Sequence, residues 1–169
     1  CQGEAPDCFD TAAASALKEM SELANSCTAE TGNVRTLWKQ ASAAMSRCGA
    51  AIRDEEQIRE YCKVVQTQLK NFHTIVRVSN RGELAMAYRL RDMLLSQQAY
   101  LTAMVDYRAH GGKSRGSALY TDRKNGTKPF AHLPDTFTFA LDKNEQPLIQ
   151  ELRYENGICK TDWREPRPI

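Results

Sequence analysis

The residues best suited to chemistry gather at the junction Lys113-Ser114-Arg115-Gly116, between a long amphipathic run and a β-rich tail. Arg115 offers a planar fork for bidentate, charge-assisted hydrogen bonds to a carboxylate. Gly116 permits a positive φ in the turn that would present this arginine. The alternatives are direct contact with a substrate or cofactor, and an arginine that merely caps carbonyls at a helix end. We favour a domain-interface contact made by Ser114, Arg115 and Gly116.

The histidines predict no catalytic or metal site. Zinc needs four converging ligands, and His73, His110 and His132 are not spaced to supply them. His110 is expected to be a solvent-exposed cap at a helix C-terminus, where the helix dipole favours a protonated ring. His73 adjoins an apolar stripe and is expected to be a half-buried packing residue.

The cysteines show no C-x-x-C pair, and a chain of 169 residues can build its core without disulfides. We therefore expect reduced thiols, of which Cys27, Cys48 and Cys62 fall on apolar stripes and pack as small hydrophobes. No catalytic, cofactor-binding or metal-binding residue is assigned. The six cysteines are Cys1, Cys8, Cys27, Cys48, Cys62 and Cys159.

The composition argues against polyanionic and membrane partners. The chain carries 23 Lys and Arg against 21 Asp and Glu, so it has no uniform basic field for nucleic acid or anionic lipid. Its apolar stretches are far shorter than the ~20 residues that cross a bilayer. Because the sequence begins at Cys1 without an initiator Met, we expect that a signal or an upstream domain of a longer protein has been removed. Separately, we expect a cytoplasmic location.

Apolar periodicity predicts helices over most of the first 113 residues. A first helix begins near Asp7 or Asp10, and a second begins after Asn33 as N-cap and is interrupted near Gly49. A third helix spans roughly residues 55–77, with Asp54 as part of a capping-box variant at its start. A fourth helix runs from Glu83 to His110, and Gly111-Gly112 ends it. The stripe of the first helix is Phe9, Ala13, Ala16, Met20, Leu23 and Cys27.

Beyond residue 113 the period changes from 3.6 to 2. Thr136–Leu141 and Leu148–Tyr154 both alternate, and Asn156-Gly157 is typical of a two-residue hairpin turn. The sequence thus predicts a mainly α fold: an antiparallel three-helix bundle of the spectrin-repeat kind, with an extra N-terminal helix and a short C-terminal β-hairpin tail. Residues 1–113 would form the bundle and 114–169 a β-rich extension packed on it or on a missing domain.

Three segments carry a resemblance to a known family. The first is Met45–Arg53 with the preceding Val34-Arg35, the second is Leu90–Leu94, and the third is the junction. At the junction the family pattern is Arg-Lys-Glu-Ser-Arg-Gly-x-His-x-Arg-x-Asp, and Ser114, Arg115, Gly116 and Asp122 match it. Over roughly residues 30–169 the chain resembles the C-terminal region of the flavoprotein subunits of succinate dehydrogenase and fumarate reductase, an architecture that L-aspartate oxidase shares. The junction departs from the family pattern at Lys113, Ala118 and Tyr120. The last stretch that resembles the family runs from Leu152-Arg153-Tyr154 to Arg167-Pro168-Ile169.

The resemblance implies a non-catalytic C-terminal domain of an FAD-dependent oxidoreductase that docks on the flavin-binding domain of the same parent chain. An iron–sulfur or other electron-transfer subunit would be a further partner. The family's Gly-rich flavin turn and its substrate residues lie upstream of the matching region, and no G-x-G-x-x-G occurs here, so this piece would bind no FAD itself. The alternative is a free-standing helical module for protein–protein interaction.

Overall fold

The computed structural model describes residues 7–25, 32–143 and 148–167. Within these ranges the chain is mainly helical, with five α-helices and a small two-stranded antiparallel sheet near the C-terminus. The predictions for Cys1 and Cys27 lie outside the described residues. Across this described part of the chain, none of the helices is long and apolar enough to cross a membrane.

Helix α1, Asp7–Asn25, forms where the apolar spacing predicts it, but most of its apolar stripe faces solvent. Leu23 is buried, whereas Phe9, Leu17 and Met20 are exposed. The helix is also linked to the rest of the molecule by the ion pair of Glu19 with Arg91, 2.9 Å long. The helix therefore leaves an apolar face without a covering element among the described residues.

Helix α2, Val34–Cys48, ends at Gly49, as the sequence predicts. The expectation for Asn33 is wrong in one respect: it precedes the helix, but its side chain makes no capping hydrogen bond. Its amide instead donates to the Ile75 carbonyl at 2.7 Å and accepts from the Arg77 backbone N–H at 2.8 Å. Asn33 thus ties the start of α2 to a distant segment, which satisfies that segment's backbone groups.

Helix α3, Glu55–Lys70, begins at Asp54, whose carboxylate accepts from the backbone N–H groups of the first turn. A single helix over residues 55–77 is wrong, because α3 stops at Asn71 and only the short α4, Phe72–Ile75, follows. The buried residues after it alternate with exposed ones, Val76 and Val78 being 2% and 1% exposed. Extended backbone buries both valines on one side, which a continuing helix would not do.

The longest helix, α5, Leu84–Ala109, forms the centre of the helical region. It contacts α2 and α3, and its residues Leu90 and Leu101 are fully buried. Between these helices the Tyr61 hydroxyl oxygen lies 2.8 Å from Gln97 Oε1 and 3.0 Å from the Ala41 carbonyl oxygen. Burial raises the pKa of Tyr61 to about 12. The polar contact is therefore made in the buried interior between the helices.

The segment after α5 contains less regular sheet than its sequence predicts. Strand β1, Ile52–Arg53, pairs in parallel with β2, Leu119–Tyr120. A strand over Thr136–Leu141 is wrong: residues Asp135–Phe137 form a 3-10 turn whose Phe137 N–H bonds to the Pro134 carbonyl. Between this turn and Leu141 the backbone forms only isolated bridges, at Phe139 and Leu141. The alternation of apolar residues there reflects a buried Phe139 and an exposed Leu141 rather than one face of a sheet.

The β-hairpin near the C-terminus is confirmed. Strands β3, Ile149–Glu155, and β4, Ile158–Arg164, pair antiparallel around Asn156 and Gly157, whose φ values are 51° and 81°. Positive φ at both central residues is the requirement of a type I′ turn. The hairpin contacts α5.

The charged side chains of the hairpin pair diagonally. Arg153 lies opposite Lys160 in the strand register, a repulsive arrangement by itself. Arg153 is offset by an ion pair with Asp162 at 3.7 Å, and Lys160 by one with Glu155 at 2.9 Å. Each of the two like charges is therefore paired with an acidic side chain of the hairpin itself.

Candidate functional site

The candidate site begins where α5 ends. His110 caps the helix through its backbone N–H, and Gly111 adopts a φ of 78°. The His110 ring is exposed, as predicted. Gly112 lies against the Tyr107 ring so closely that an added Cβ would be 2.4 Å from it. The chain therefore turns away from the helix immediately after its last residue.

Ser114 fixes the loop that follows. Its side chain is 1% exposed, and its Oγ accepts from the Tyr120 backbone N–H at 2.8 Å and lies 3.2 Å from the Tyr120 carbonyl oxygen. Its own backbone N–H bonds to the Ala140 carbonyl, and its carbonyl accepts from Asp142. Ser114 therefore shapes the turn from inside the protein.

Arg115 and Gly116 form the exposed part of this loop. Arg115 and Ala118 exchange two backbone hydrogen bonds of 3.0 Å, which closes a two-residue turn. Gly116 has a φ of 55°, as the sequence predicts. Arg115 is exposed and forms no ion pair with any residue in the described ranges. The turn thus presents an exposed guanidinium that pairs with no acidic side chain in the part of the chain that the structure describes.

Behind this turn, the guanidinium groups of two arginines lie near the Tyr120 ring. The guanidinium carbons of Arg53 and Arg108 are 5.5 Å and 5.4 Å from the ring centroid, and Arg53 donates to the Tyr120 hydroxyl at 3.2 Å. Arg108 also pairs with Glu55 at 3.0 Å. Burial alone would raise the pKa of Glu55, but hydrogen bonds from Arg59 and Arg108 make it lower than usual.

A carboxylate on α5 anchors the hairpin next to the turn. Asp106 Oδ2 accepts from Gln150 Nε2 at 2.8 Å and from Trp163 Nε1 at 2.7 Å. Trp163 also stacks on Tyr107, with ring centroids 6.4 Å apart. Burial would raise the pKa of Asp106, but these hydrogen bonds and the His110 charge outweigh burial and lower it.

The remaining candidate residues lie apart from the junction. His73 is exposed, so its expected half-buried role is wrong, although its ring contacts Phe72 edge-on. His132 is exposed and stacks on Phe130. Cys48 and Cys62 are buried free thiols, in agreement with their expected packing roles. Over the ranges that the structure describes, no group of three or more His, Cys, Asp or Glu is placed to hold a metal ion.

The sequence reasoning missed the residues that support the turn. Arg53 and Arg108 were not linked to Tyr120, because the three come from different elements: the β1–β2 pairing brings Arg53 to Tyr120, and Arg108 reaches the ring from α5. The available signal was local: Arg108 and Tyr107 stand one and two residues from the helix end, where side chains reach the following loop.

Comparison with protein-family models, with characterised proteins and with solved structures finds no match for this chain.

Proposed function

We propose that this chain is the non-catalytic C-terminal domain of an FAD-dependent oxidoreductase of the fumarate reductase and succinate dehydrogenase flavoprotein type. In this role α2, α3 and α5 form an antiparallel three-helix bundle of the spectrin-repeat kind, to which α1 is added. The mutual contacts of these three helices support the arrangement. FAD and the catalytic groups belong to the parent's flavin-binding domain, and an iron–sulfur or other electron-transfer subunit is a further partner.

The observation that carries the proposal is a small surface formed by Arg115 and Leu141, which we call the docking surface. Leu141 is 64% exposed, although it is bridged to the buried Ser114 that holds the Arg115 turn. A large exposed apolar side chain and an arginine with no ion pair among the described residues thus lie on neighbouring backbone segments. Exposed aliphatic groups next to arginine are suited to a protein interface, where arginine is enriched.

Binding to the flavin domain tests this role. The chain and the separately expressed flavin-binding domain of the parent are expected to co-elute in size-exclusion chromatography. Arg115→Ala and Leu141→Ser should each weaken the complex roughly tenfold, the effect of losing about 1.4 kcal/mol at an interface. The matched control is Leu17→Ser, because Leu17 is also 64% exposed but lies on α1. Failure to co-elute, or equal weakening by Leu17→Ser, contradicts the proposal.

Flavin content and the coding sequence give two further tests. The purified chain should retain no FAD, since the groups that would contact the cofactor are assigned to the flavin-binding domain. Stoichiometric flavin on the isolated chain would contradict that assignment. The coding sequence upstream of Cys1 should encode a Gly-rich flavin fingerprint, and a start codon at this point would refute membership of a larger flavoenzyme.

The second candidate is a free-standing helical module for protein–protein interaction. It is favoured by α1, on which Phe9, Leu17 and Met20 are 62%, 64% and 48% exposed. Amphipathic helices commonly bind partners through such a face. If this candidate holds, Leu17→Ser abolishes partner binding and Leu141→Ser does not, which reverses the pattern expected for docking on a flavin domain.

A further inference from the structure

A cleft of about 500 Å³ lies between α3, α5 and the tip of the β-hairpin, and we call it the hairpin cleft. Its lining includes Leu69 and Lys70 of α3, Gln98 of α5, and Tyr154 and Ile158 of the hairpin. Clefts that hold small molecules have volumes of roughly 300–1,000 Å³. The hairpin cleft is therefore large enough for a small ligand, and it shares no lining residue with the docking surface.

Gln98 is the most deeply buried residue of this lining. It is 4% exposed, and its Oε1 accepts no hydrogen bond from any residue in the described ranges. A buried acceptor without a donor is destabilising, because it has lost its hydrogen bonds to water. The terminal torsion of a glutamine side chain is soft, so a rotation of the amide can turn this oxygen toward a donor in the cleft. The hairpin cleft thus holds an acceptor that a ligand can satisfy.

Gln68 gives a comparison within the same molecule. Its Oε1 is also buried without a hydrogen-bond partner among the described residues. It adjoins an interior gap that Leu37 and Leu94 line, and this gap has no room for a water molecule. Of these two glutamines, Gln98 is the one that lines a space large enough for a ligand.

The rest of the lining is suited to an apolar anion. Tyr154 and Ile158 are 53% and 59% exposed, so a ring that covers them removes apolar surface from water. Lys70 is the only charged residue among the eight described residues of the lining. It forms no ion pair within the described ranges. A carboxylate on the ligand would supply the missing partner.

We propose that the hairpin cleft binds a small aromatic carboxylate that also carries an N–H group. The aromatic ring lies against Tyr154 and Ile158, the N–H donates to Gln98 Oε1, and the carboxylate pairs with Lys70. The bound molecule contacts α3, α5 and the hairpin at once. Because it binds only the folded arrangement of these elements, it also stabilises the attachment of the hairpin to the helices.

Three matched compounds test the proposal in ligand-detected NMR titrations of the 169-residue chain. Indole-3-propionate has all three features, indole-3-propionamide lacks the charge, and 3-(1-naphthyl)propionate lacks the N–H donor. Indole-3-propionate should bind with a Kd below about 1 mM, a modest affinity for a ligand of this size. Each of the other two should bind roughly tenfold more weakly. Equal binding of all three, or no saturation by indole-3-propionate, would overturn the proposal.

Substitutions assign the contacts. Gln98→Leu keeps the size of the side chain and should weaken indole-3-propionate roughly tenfold, while 3-(1-naphthyl)propionate binds as before. A purely structural role of Gln98 would weaken both compounds equally, and that result would refute the assignment. Lys70→Gln should weaken both carboxylates and leave the propionamide unchanged. The control is Lys63→Gln, because Lys63 is an exposed lysine of α3 outside the cleft lining. Equal effects of the two lysine substitutions would contradict the proposal.

Discussion

Replacing Asp106 by alanine should loosen the β-hairpin from α5. The carboxylate accepts hydrogen bonds from Gln150 and Trp163 at 2.8 Å and 2.7 Å, and its side chain is 19% exposed. Hydrogen bonds to an ionised group contribute about 1.5–3 kcal/mol each. We take the lower end because water can replace part of the contact, which gives a loss of about 3 kcal/mol in the free energy of unfolding. Asp106→Asn keeps an acceptor oxygen and should lose roughly half as much.

The effect should depend on pH in a defined direction. The pKa of Asp106 in the folded chain lies below its usual value, so the carboxylate binds fewer protons there than in the unfolded chain. Its stabilisation is therefore fully present above about pH 4 and is lost as the pH falls through the folded pKa. The asparagine variant has no such titration. The stability difference between wild type and Asp106→Asn should consequently narrow in acid.

Urea unfolding followed by tryptophan fluorescence measures both effects, because Trp163 donates to Asp106. The other tryptophan, Trp38, is replaced by phenylalanine in all variants. Glu155→Gln is the control: its ion pair with Lys160 lies on the same hairpin but is exposed, and it should change stability by less than about 0.5 kcal/mol. A loss under about 1 kcal/mol for Asp106→Ala, or an unchanged difference for Asp106→Asn between about pH 7 and about pH 3, would refute the reasoning.

Three further substitutions test the packing of the helices and the junction, each by urea unfolding. Ser114→Ala removes the buried hydroxyl that holds the Tyr120 backbone and should cost about 1–2 kcal/mol; an unchanged midpoint would show that the loop is held by its other contacts. Gly112→Ala places a methyl group against the Tyr107 ring and should cost about 1–3 kcal/mol, with altered near-ultraviolet circular dichroism as the sign of a displaced ring. Tyr61→Phe removes a hydroxyl within hydrogen-bond distance of two buried oxygens and should cost about 1–2 kcal/mol, whereas a gain would contradict its assigned role.

The parts of the fold that depend on local sequence were predictable. Gly49 ends α2, Asp54 begins α3 and Asn156-Gly157 makes the hairpin turn, because each residue acts on backbone groups within a few positions of itself. The Gly116 turn at the candidate site belongs to the same group. Whether that turn docks on another domain stays a prediction.

The parts that depend on distant contacts were not predictable. Asn33 was expected to cap its own helix, but it bonds to Ile75 and Arg77, more than forty residues away. Periodicity could place Phe9 on an apolar stripe, yet it could not show that no element within the described ranges covers the stripe. Likewise, the positions of Arg53 and Tyr120 side by side follow from a strand pairing that no local pattern indicates.

The diagonal charge pairs of the β-hairpin also bear on solubility. A two-stranded sheet has two outer edges with backbone groups that another strand could pair with, and such edges promote aggregation. Arg153 and Lys160 with their acidic partners place charged side chains on both strands, and charged residues on edge strands disfavour pairing with another strand. High salt, or conversion of both lysine and arginine to neutral residues, would remove this barrier and allow edge-to-edge assembly of the chain.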